Sequence, residues 1–440
     1  MWDPGSVVIL SGSCGVHLAE EIAGIIGLPV SSTMRHSNVP GGEIKLQLSG
    51  NVRARHIFVV QSTSGHVNDS LIELALILSA CKRASAHTVC AITPYLAYAR
   101  QTMKAESRVP VSSADVATLL EQSCMDALVT VDIHDAQTAG FYSPRCAFHN
   151  STYIPVAARF FVRHGLQSPV VVAPHASGVT RAMDFVRALC EYEGDMGMDE
   201  TRTSIPGAST LGAAVASMGL GEQEGSHGND SDGGGSGAGG RSRAGWTLPP
   251  TLAMLLTVER RGSKELELTG DVTGRDAIIV DDIIDTGMTI VRASRELIAR
   301  GASRVFAFAT HGVLSGMAPD KLLKAPVELI VVTNSVPDLS AKLPADHKLR
   351  RKIAILSVAP LLAHQVCELA GLPTPDLDPL VPTYALHSGV MAAPPEPPAY
   401  MMGLGSPSRG GPVASAAADP FNEESVSESM TTASEYSATY

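Results

Sequence analysis

The sequence predicts an α/β protein made of two tandem domains of similar plan, each a mainly parallel sheet flanked by helices. Two observations carry this. Short, continuous apolar runs, the form taken by strands buried on both faces of a parallel sheet, alternate with segments of helical period. The order strand, small polar loop, helix, strand occurs early in the chain and again late, and such alternation builds parallel sheets with helices on both faces.

In the first half, the run 56–61 reads as a strand leading through a Ser/Thr/Gly loop into a helix at about 69–84. Leu71, Leu74, Ala75, Ile77 and Leu78 recur there at helical spacing, and 88–92 is the next strand. Pro169, Val170, Val171, Val172 and Ala173 form a second buried strand, followed by a loop and a helix. The plan then repeats as strand 276–281, a polar loop, a helix at about 289–300 ending before Gly301, and strand 304–309. These elements predict domains at 1–150 and 151–372, with a last helix at about 353–371 packing back on the body.

Between 191 and 250 the composition changes. The Gly-, Ser- and Asp-rich run 225–237 has too little apolar surface to order itself, so an insertion is expected, with a short helix possible at 211–216. A second low-complexity stretch, 391–440, holds Pro-rich 394–398 and a Ser/Thr/Glu tail expected to be disordered.

The 440 residues are 45% hydrophobic, enough for two ordinary cores. A formal net charge of −11 argues against general nucleic-acid binding. No apolar run reaches the length of a membrane span, and Met1-Trp2-Asp3-Pro4-Gly5 lacks a basic n-region, so a cytoplasmic location is expected. The seven cysteines have no metal-like spacing and read as buried free thiols of a reducing compartment.

The chemistry concentrates at 276–290. Ile278, Ile279 and Val280 deliver Asp281 and Asp282 to the carboxyl end of a strand, the edge where open α/β sheets collect ligands. Asp285, Thr286, Gly287, Met288 and Thr289 then offer backbone N–H groups, two hydroxyls and the positive end of a helix, all suited to a phosphate. Carboxylates suit ribose hydroxyls. A plain helix cap would use one acid, and here there are three acids and two hydroxyls. The segment reads as a sugar-phosphate site.

That stretch resembles the phosphoribosyl-pyrophosphate motif of the phosphoribosyltransferase-like fold. Further motifs extend the likeness in order: Ser11-Gly12-Ser13, Asn51-Val52-Arg53, Asn68-Asp69, Tyr98-Ala99-Arg100-Gln101, Ser107-Arg108-Val109-Pro110, Asp132-Ile133-His134, Gly270-Asp271-Val272, Thr310-His311-Gly312 and Val332-Thr333-Asn334. Together, from about residue 6 to 372, they resemble ribose-phosphate pyrophosphokinase (PRPP synthetase). The resemblance implies two phosphoribosyltransferase-like domains and transfer of diphosphate from ATP to ribose 5-phosphate, giving PRPP and AMP, with Mg2+. It implies ATP-binding roles for Arg100, Gln101, His134, Asn38 and Glu43, metal roles for His134 and Asp132, and a homo-oligomer or a hetero-oligomer with paralogues.

Departures fall at the chemistry. Where the family's flexible catalytic loop has Lys-x-Arg, this chain has Val258-Glu259-Arg260, leaving Arg260 as the catalytic candidate. A cation aimed at a phosphoryl transition state contributes about 3 kcal/mol. His175 stands where the family has a metal-holding aspartate, and imidazole is a poor ligand for Mg2+. His36 replaces a usual Phe, and Ser143 and Ala147 stand where two acids are expected. Two readings stay open: a working diphosphokinase, or a catalytically impaired regulatory subunit similar to the synthetase-associated proteins. A phosphoribosyltransferase consuming PRPP is disfavoured by the two-domain length and by the Tyr-Ala-Arg-Gln and Asp-Ile-His motifs.

Overall fold

Two seven-stranded sheets carry the chain among the described residues. In this computed structural model those are 4–36, 41–104, 106–195, 246, 248–260, 263–337, 339–375, 378, 382 and 383. Backbone alone is described for 4, 32–36, 193–195, 258–260, 263, 264, 340 and 341. Most of the expected insertion and the whole 391–440 tail lie outside the described residues.

The first sheet contains β1 (Val7–Ser11), β2 (Val30–His36), β3 (Lys45–Leu48), β4 (His56–Val60), β5 (Thr88–Ile92), β6 (Ala127–Val131) and β7 (Ala147–Ser151). Its order is β3-β2-β1-β4-β5-β6-β7, parallel except for the β2–β3 hairpin. Helices α1 (Val16–Ile26), α2 (Val67–Arg83) and α3 (Ser112–Gln122) connect these strands, and α4 (Ile154–Arg163) leads away from them. The second sheet contains β8 (Pro169–Ala173), β9 (Thr251–Arg260), β10 (Ser263–Thr269), β11 (Asp276–Ile284), β12 (Arg304–Gly312), β13 (Leu329–Thr333) and β14 (Ile353–Leu356). Its order, β10-β9-β8-β11-β12-β13-β14, repeats that of the first, with β9–β10 as the antiparallel pair. Its helices are α5 (Val179–Asp195), α6 (Met288–Ala299), α7 (Ala318–Leu323), α8 (Leu339–Lys342) and α9 (Ala359–Ala370).

Period-two alternation divides the strand residues between cores. Val7 and Ile9 of β1 enter a core shared with Ile278 and Val280 of β11, whereas Val8 and Leu10, and Ala277 and Ile279, enter separate outer cores. Helices α1, α4, α5 and α9 pack into the shared core together with further strand residues of both sheets. Phe161, Phe185 and Phe308 form its aromatic centre, with ring centroids 5.9 and 5.7 Å apart.

Three expectations are corrected. Residues 353–356 form strand β14, and the final helix begins at Ala359; Ile353, Ala354, Ile355 and Leu356 are fully buried and complete the sheet edge beside β13. Residues 258–260 belong to β9, with Val258 opposite Glu265 and Arg260 opposite Ser263, so this segment is hairpin rather than loop. Glu265, Leu266, Glu267 and Leu268 alternate polar and apolar, with the glutamates exposed, the pattern of a half-exposed antiparallel pair. Of the thiols, Cys81, Cys90, Cys146 and Cys367 are buried, Cys14 and Cys190 are half-buried, and Cys124 is exposed.

Candidate functional site

In each sheet the strand order reverses between two neighbours, β1 and β4 in the first and β8 and β11 in the second, leaving a crevice at the strands' carboxyl ends. In the first sheet side chains fill it. Glu73 Oε1 accepts from the Ser13 N–H (3.0 Å), Glu73 Oε2 from Gln61 Nε2 (3.1 Å), and Gln61 Oε1 from the Cys14 N–H (2.9 Å). In the second sheet the crevice holds Asp281 and Asp282.

β11 explains that placement. Ile278, Ile279 and Val280 have no exposed surface, and the strand runs on through both acids to Ile284, leaving Asp281 5% and Asp282 2% exposed. The chain then turns at Gly287, whose φ of 72° is left-handed, and α6 begins at Met288. A Cβ at Gly287 would also lie 3.0 Å from Leu322 Cγ, so the backbone calls for glycine and the packing adds to that preference. Thr286 and Thr289 are exposed beside this helix start, and the Ser315 N–H donates to the Asp285 carbonyl from behind (2.9 Å).

Each acid has its own partners. His175 Nε2 lies 3.4 Å from Asp281 Oδ1, and Ser177 Oγ lies 2.9 Å from His175 Nδ1. The Asp282 N–H also donates to Asp281 Oδ1 (3.0 Å). Asp282 Oδ1 faces Arg181 Nη1 at 3.4 Å, and Asp282 Oδ2 faces His134 Nδ1 at 2.5 Å. Burial pushes the Asp281 carboxyl up, against the hydrogen bond from His175. Burial also works upward on Asp282, but the His134 hydrogen bond and the Arg181 charge outweigh it and hold the carboxyl well below its ordinary value. The hydrogen bond to Asp281 raises His175 despite desolvation. The pair is therefore asymmetric, with Asp282 the more firmly charged member.

The first sheet contributes through the segments after β5 and β6. Arg100 Nη1 reaches Asp285 Oδ2 at 3.1 Å, and Tyr98, at a left-handed φ of 63°, leads into it. Tyr95, Arg100, His134, Ile283 and His311 line a small cavity between the two sheets. His311 is buried, which lowers its pKa, and sits 2.9 Å from Ser335 Oγ.

The structure thus gathers Arg100, His134, His175, Asp281, Asp282 and Asp285, with Thr286, Gly287, Met288 and Thr289 adjoining. Among the described side chains, Gln101, Glu43 and Asp132 are not gathered there. Gln101 Oε1 accepts from Ser112 Oγ at the start of α3 (2.7 Å). Glu43 is exposed between β2 and β3, Asn38 lies outside the described residues, and of Arg260 only the backbone is described. Asp132, at a left-handed φ of 41°, turns Oδ2 inward to the Tyr153 N–H (2.9 Å) and Thr310 Oγ1 (2.6 Å), tying the first sheet to α4 and β12. Sequence reasoning missed Arg181. Its only signal is its place in the first turn of the helix that follows β8, the strand beside β11.

Such paired sheets, with the acid-bearing strand and its phosphate-type loop at a switch point, define the phosphoribosyltransferase-like class. Residues 7–123 match the N-terminal domain of ribose phosphate pyrophosphokinase, and 198–369 match the phosphoribosyl synthetase-associated domain. Ribose-phosphate pyrophosphokinase of Aquifex aeolicus is 31% identical over 82% of this chain and 94% of its own length. That of Vibrio parahaemolyticus is 32% identical over 82% and 96%. The crystal structure of phosphoribosylpyrophosphate synthetase from Mycobacterium smegmatis superposes with a TM-score of 0.63 at 27% identity, covering 83% of this chain and 98% of that one. The chain belongs to the ribose-phosphate pyrophosphokinase family. Among the described residues no helix is long and apolar enough to cross a membrane.

The family generally uses ATP and Mg2+. Of the ligands expected from sequence, His134 and His175 are imidazoles, and Asp132 commits Oδ2 to internal hydrogen bonds. Magnesium takes oxygen donors in a strict octahedron. Both Asp282 oxygens already face nitrogen cations or imidazole, and among the described residues no three His, Cys, Asp or Glu side chains are grouped to hold a metal. This donor set does not fit a resident Mg2+.

Proposed function

We propose that the chain is a ribose-phosphate diphosphokinase subunit that binds ribose 5-phosphate at 281–289 and Mg·ATP on the side of the first sheet. One observation carries the reading. Arg100 and His134, from the first sheet, meet Asp285 and Asp282, from the second, at 3.1 and 2.5 Å. Groups suited to a polyphosphate and groups suited to a ribose phosphate therefore share one cleft.

The phosphate of ribose 5-phosphate accepts hydrogen bonds from the Thr286 and Thr289 hydroxyls and the first N–H groups of α6. A ribose hydroxyl donates to an acid at the end of β11. The anomeric hydroxyl, held in line, gives up its proton to solvent as its oxygen bonds to Pβ of ATP, while the bond from Pβ to the oxygen bridging it to Pα breaks, and AMP leaves with that oxygen. Arg100, released from Asp285, faces the charge on the moving diphosphoryl group, with Arg260 as the second cation. On the same reading the domains divide near residue 150, the enzyme is cytoplasmic and it works as a homo-oligomer or with paralogous subunits.

Production of AMP and PRPP by the purified chain from Mg·ATP and ribose 5-phosphate tests this, with turnover about a hundredfold lower in Arg100→Ala. A second reading, a catalytically impaired regulatory subunit, is favoured by Val258 in place of the expected lysine and by the donor set around Asp281 and Asp282. It predicts no turnover alone but altered turnover of an active family member on mixing.

A further inference from the structure

Two adjacent carboxylates buried at a strand end repel one another and need a proton, a metal ion or cationic side chains beside them. The strand neighbouring β11 supplies the third solution. Residues 174–181, which follow β8, bring both His175 and Arg181 to the acid pair, the first against Asp281 and the second against Asp282. Ser177 Oγ, 2.9 Å from His175 Nδ1, orients the ring so that Nε2 faces Asp281. Arg181 stands in the first turn of α5 with its side chain 17% exposed, and a guanidinium does not lose its charge at any pH a protein survives. A divalent ion coordinated by Asp282 would sit directly against that fixed positive charge. It would also have to displace His134 from Oδ2.

We infer that Arg181 and His175 take the place of a divalent cation at Asp281 and Asp282, so that the loop 285–289 binds ribose 5-phosphate without metal. The inference rests on the reading of that loop as the sugar-phosphate site. Asp282 is held as a charged anchor, its two oxygens engaged by Arg181 and His134. Asp281 Oδ1 is engaged by His175 and the Asp282 N–H, and a ribose hydroxyl would donate to its other oxygen, Oδ2. The phosphate then meets the start of α6, whose N–H groups and helix dipole need no metal to hold an anion. Positive charge fixed in the fold gives this chain a ligand that arrives as the free sugar phosphate.

Titration calorimetry of the full chain with ribose 5-phosphate, once in excess EDTA and once in excess Mg2+, tests the inference. The expected affinities differ by less than about tenfold, a change of under roughly 1.4 kcal/mol. Binding seen only with Mg2+ would overturn the inference while leaving the loop as the sugar-phosphate site. A parallel titration with Mn2+ alone, followed by electron paramagnetic resonance, reads the acid pair without any sugar. Wild type is expected to bind no Mn2+ there, and the double variant His175→Asp/Arg181→Ala, which removes both replacing cations, to gain a site that Asp282→Asn removes again. If ribose 5-phosphate binds under neither condition, the sugar-phosphate reading and metal-free binding both fall. The Mn2+ titration then still decides whether side chains have replaced the cation: Mn2+ held by wild type and lost in Asp282→Asn refutes it.

Discussion

Replacing each of the two adjacent acids by its amide separates their roles. Asp282→Asn removes the negative charge that Arg181 faces at 3.4 Å and His134 at 2.5 Å, in a position where the carboxylate is 3% exposed. Removing one partner of a fully buried pair costs about 3–5 kcal/mol. Arg181 and His134 keep 17% and 37% of their side-chain exposure, and solvent softens the loss, so about 2–3 kcal/mol is expected. Asp281→Asn starts from a carboxyl that burial already pushes toward its neutral form, and its cost is about 1 kcal/mol or less. Urea denaturation at neutral pH reads the difference as a shift of midpoint at constant slope. The pH dependence has a definite sign. The folded-state pKa of Asp282 lies below its unfolded value, near about 4, so its contribution is full above that value and fades as pH falls through the lower folded one. The deficit of Asp282→Asn should therefore shrink only in acid. Equal losses in the two amides, or a larger loss in Asp281→Asn, would refute the assignment of Asp282 as the charged member.

Arg100→Ala breaks a largely exposed pair, with side chains 52% and 32% accessible, so its unfolding midpoint should move by less than about 1 kcal/mol. On the proposed diphosphokinase reading, turnover should nevertheless fall about a hundredfold, roughly 3 kcal/mol of transition-state stabilisation, and a parallel loss of stability would assign Arg100 a structural role instead. Gly287→Ala meets both a left-handed φ of 72° and Leu322, and should cost about 2–3 kcal/mol in denaturant and weaken ribose 5-phosphate binding by calorimetry. His175 has a raised folded-state pKa, so its contribution is complete below the unfolded value near about 6.5 and is lost as pH rises through the folded one. Midpoints of wild type and His175→Ala should differ most below that pH and converge above it; a gap that widens with rising pH would contradict the raised value.

Much of the fold is legible because the shared core and the two outer cores impose local patterns. The segment β4–α2–β5 and the segment β11–α6–β12 show unbroken apolar strands around a helix whose buried residues recur at helical spacing. Residues 353–356 were less legible for the same physical reason: a four-residue apolar run beside a helix has no period of its own, and its partner β13 is set by the sheet. Asp132-Ile133-His134 shows the corresponding limit at the site. An acid that serves a backbone N–H and a threonine hydroxyl looks, in sequence, like an acid that serves a cation, and the left-handed φ of Asp132 becomes apparent only in three dimensions.

The acids, hydroxyls and glycine of 281–289 are readable because one strand and one helix start bring them together. Arg181 is not, because its partner Asp282 stands on the neighbouring strand, about a hundred residues on, and their meeting depends on β8 lying beside β11. That adjacency also controls the chemistry. An apolar strand can carry two acids to a sheet edge, yet whether they hold a metal ion, share a proton or face fixed cations is decided by the loop of the neighbouring strand. Substitutions at 175 and 181 therefore act on the cation requirement of 281 and 282 without changing a residue of the strand that bears them.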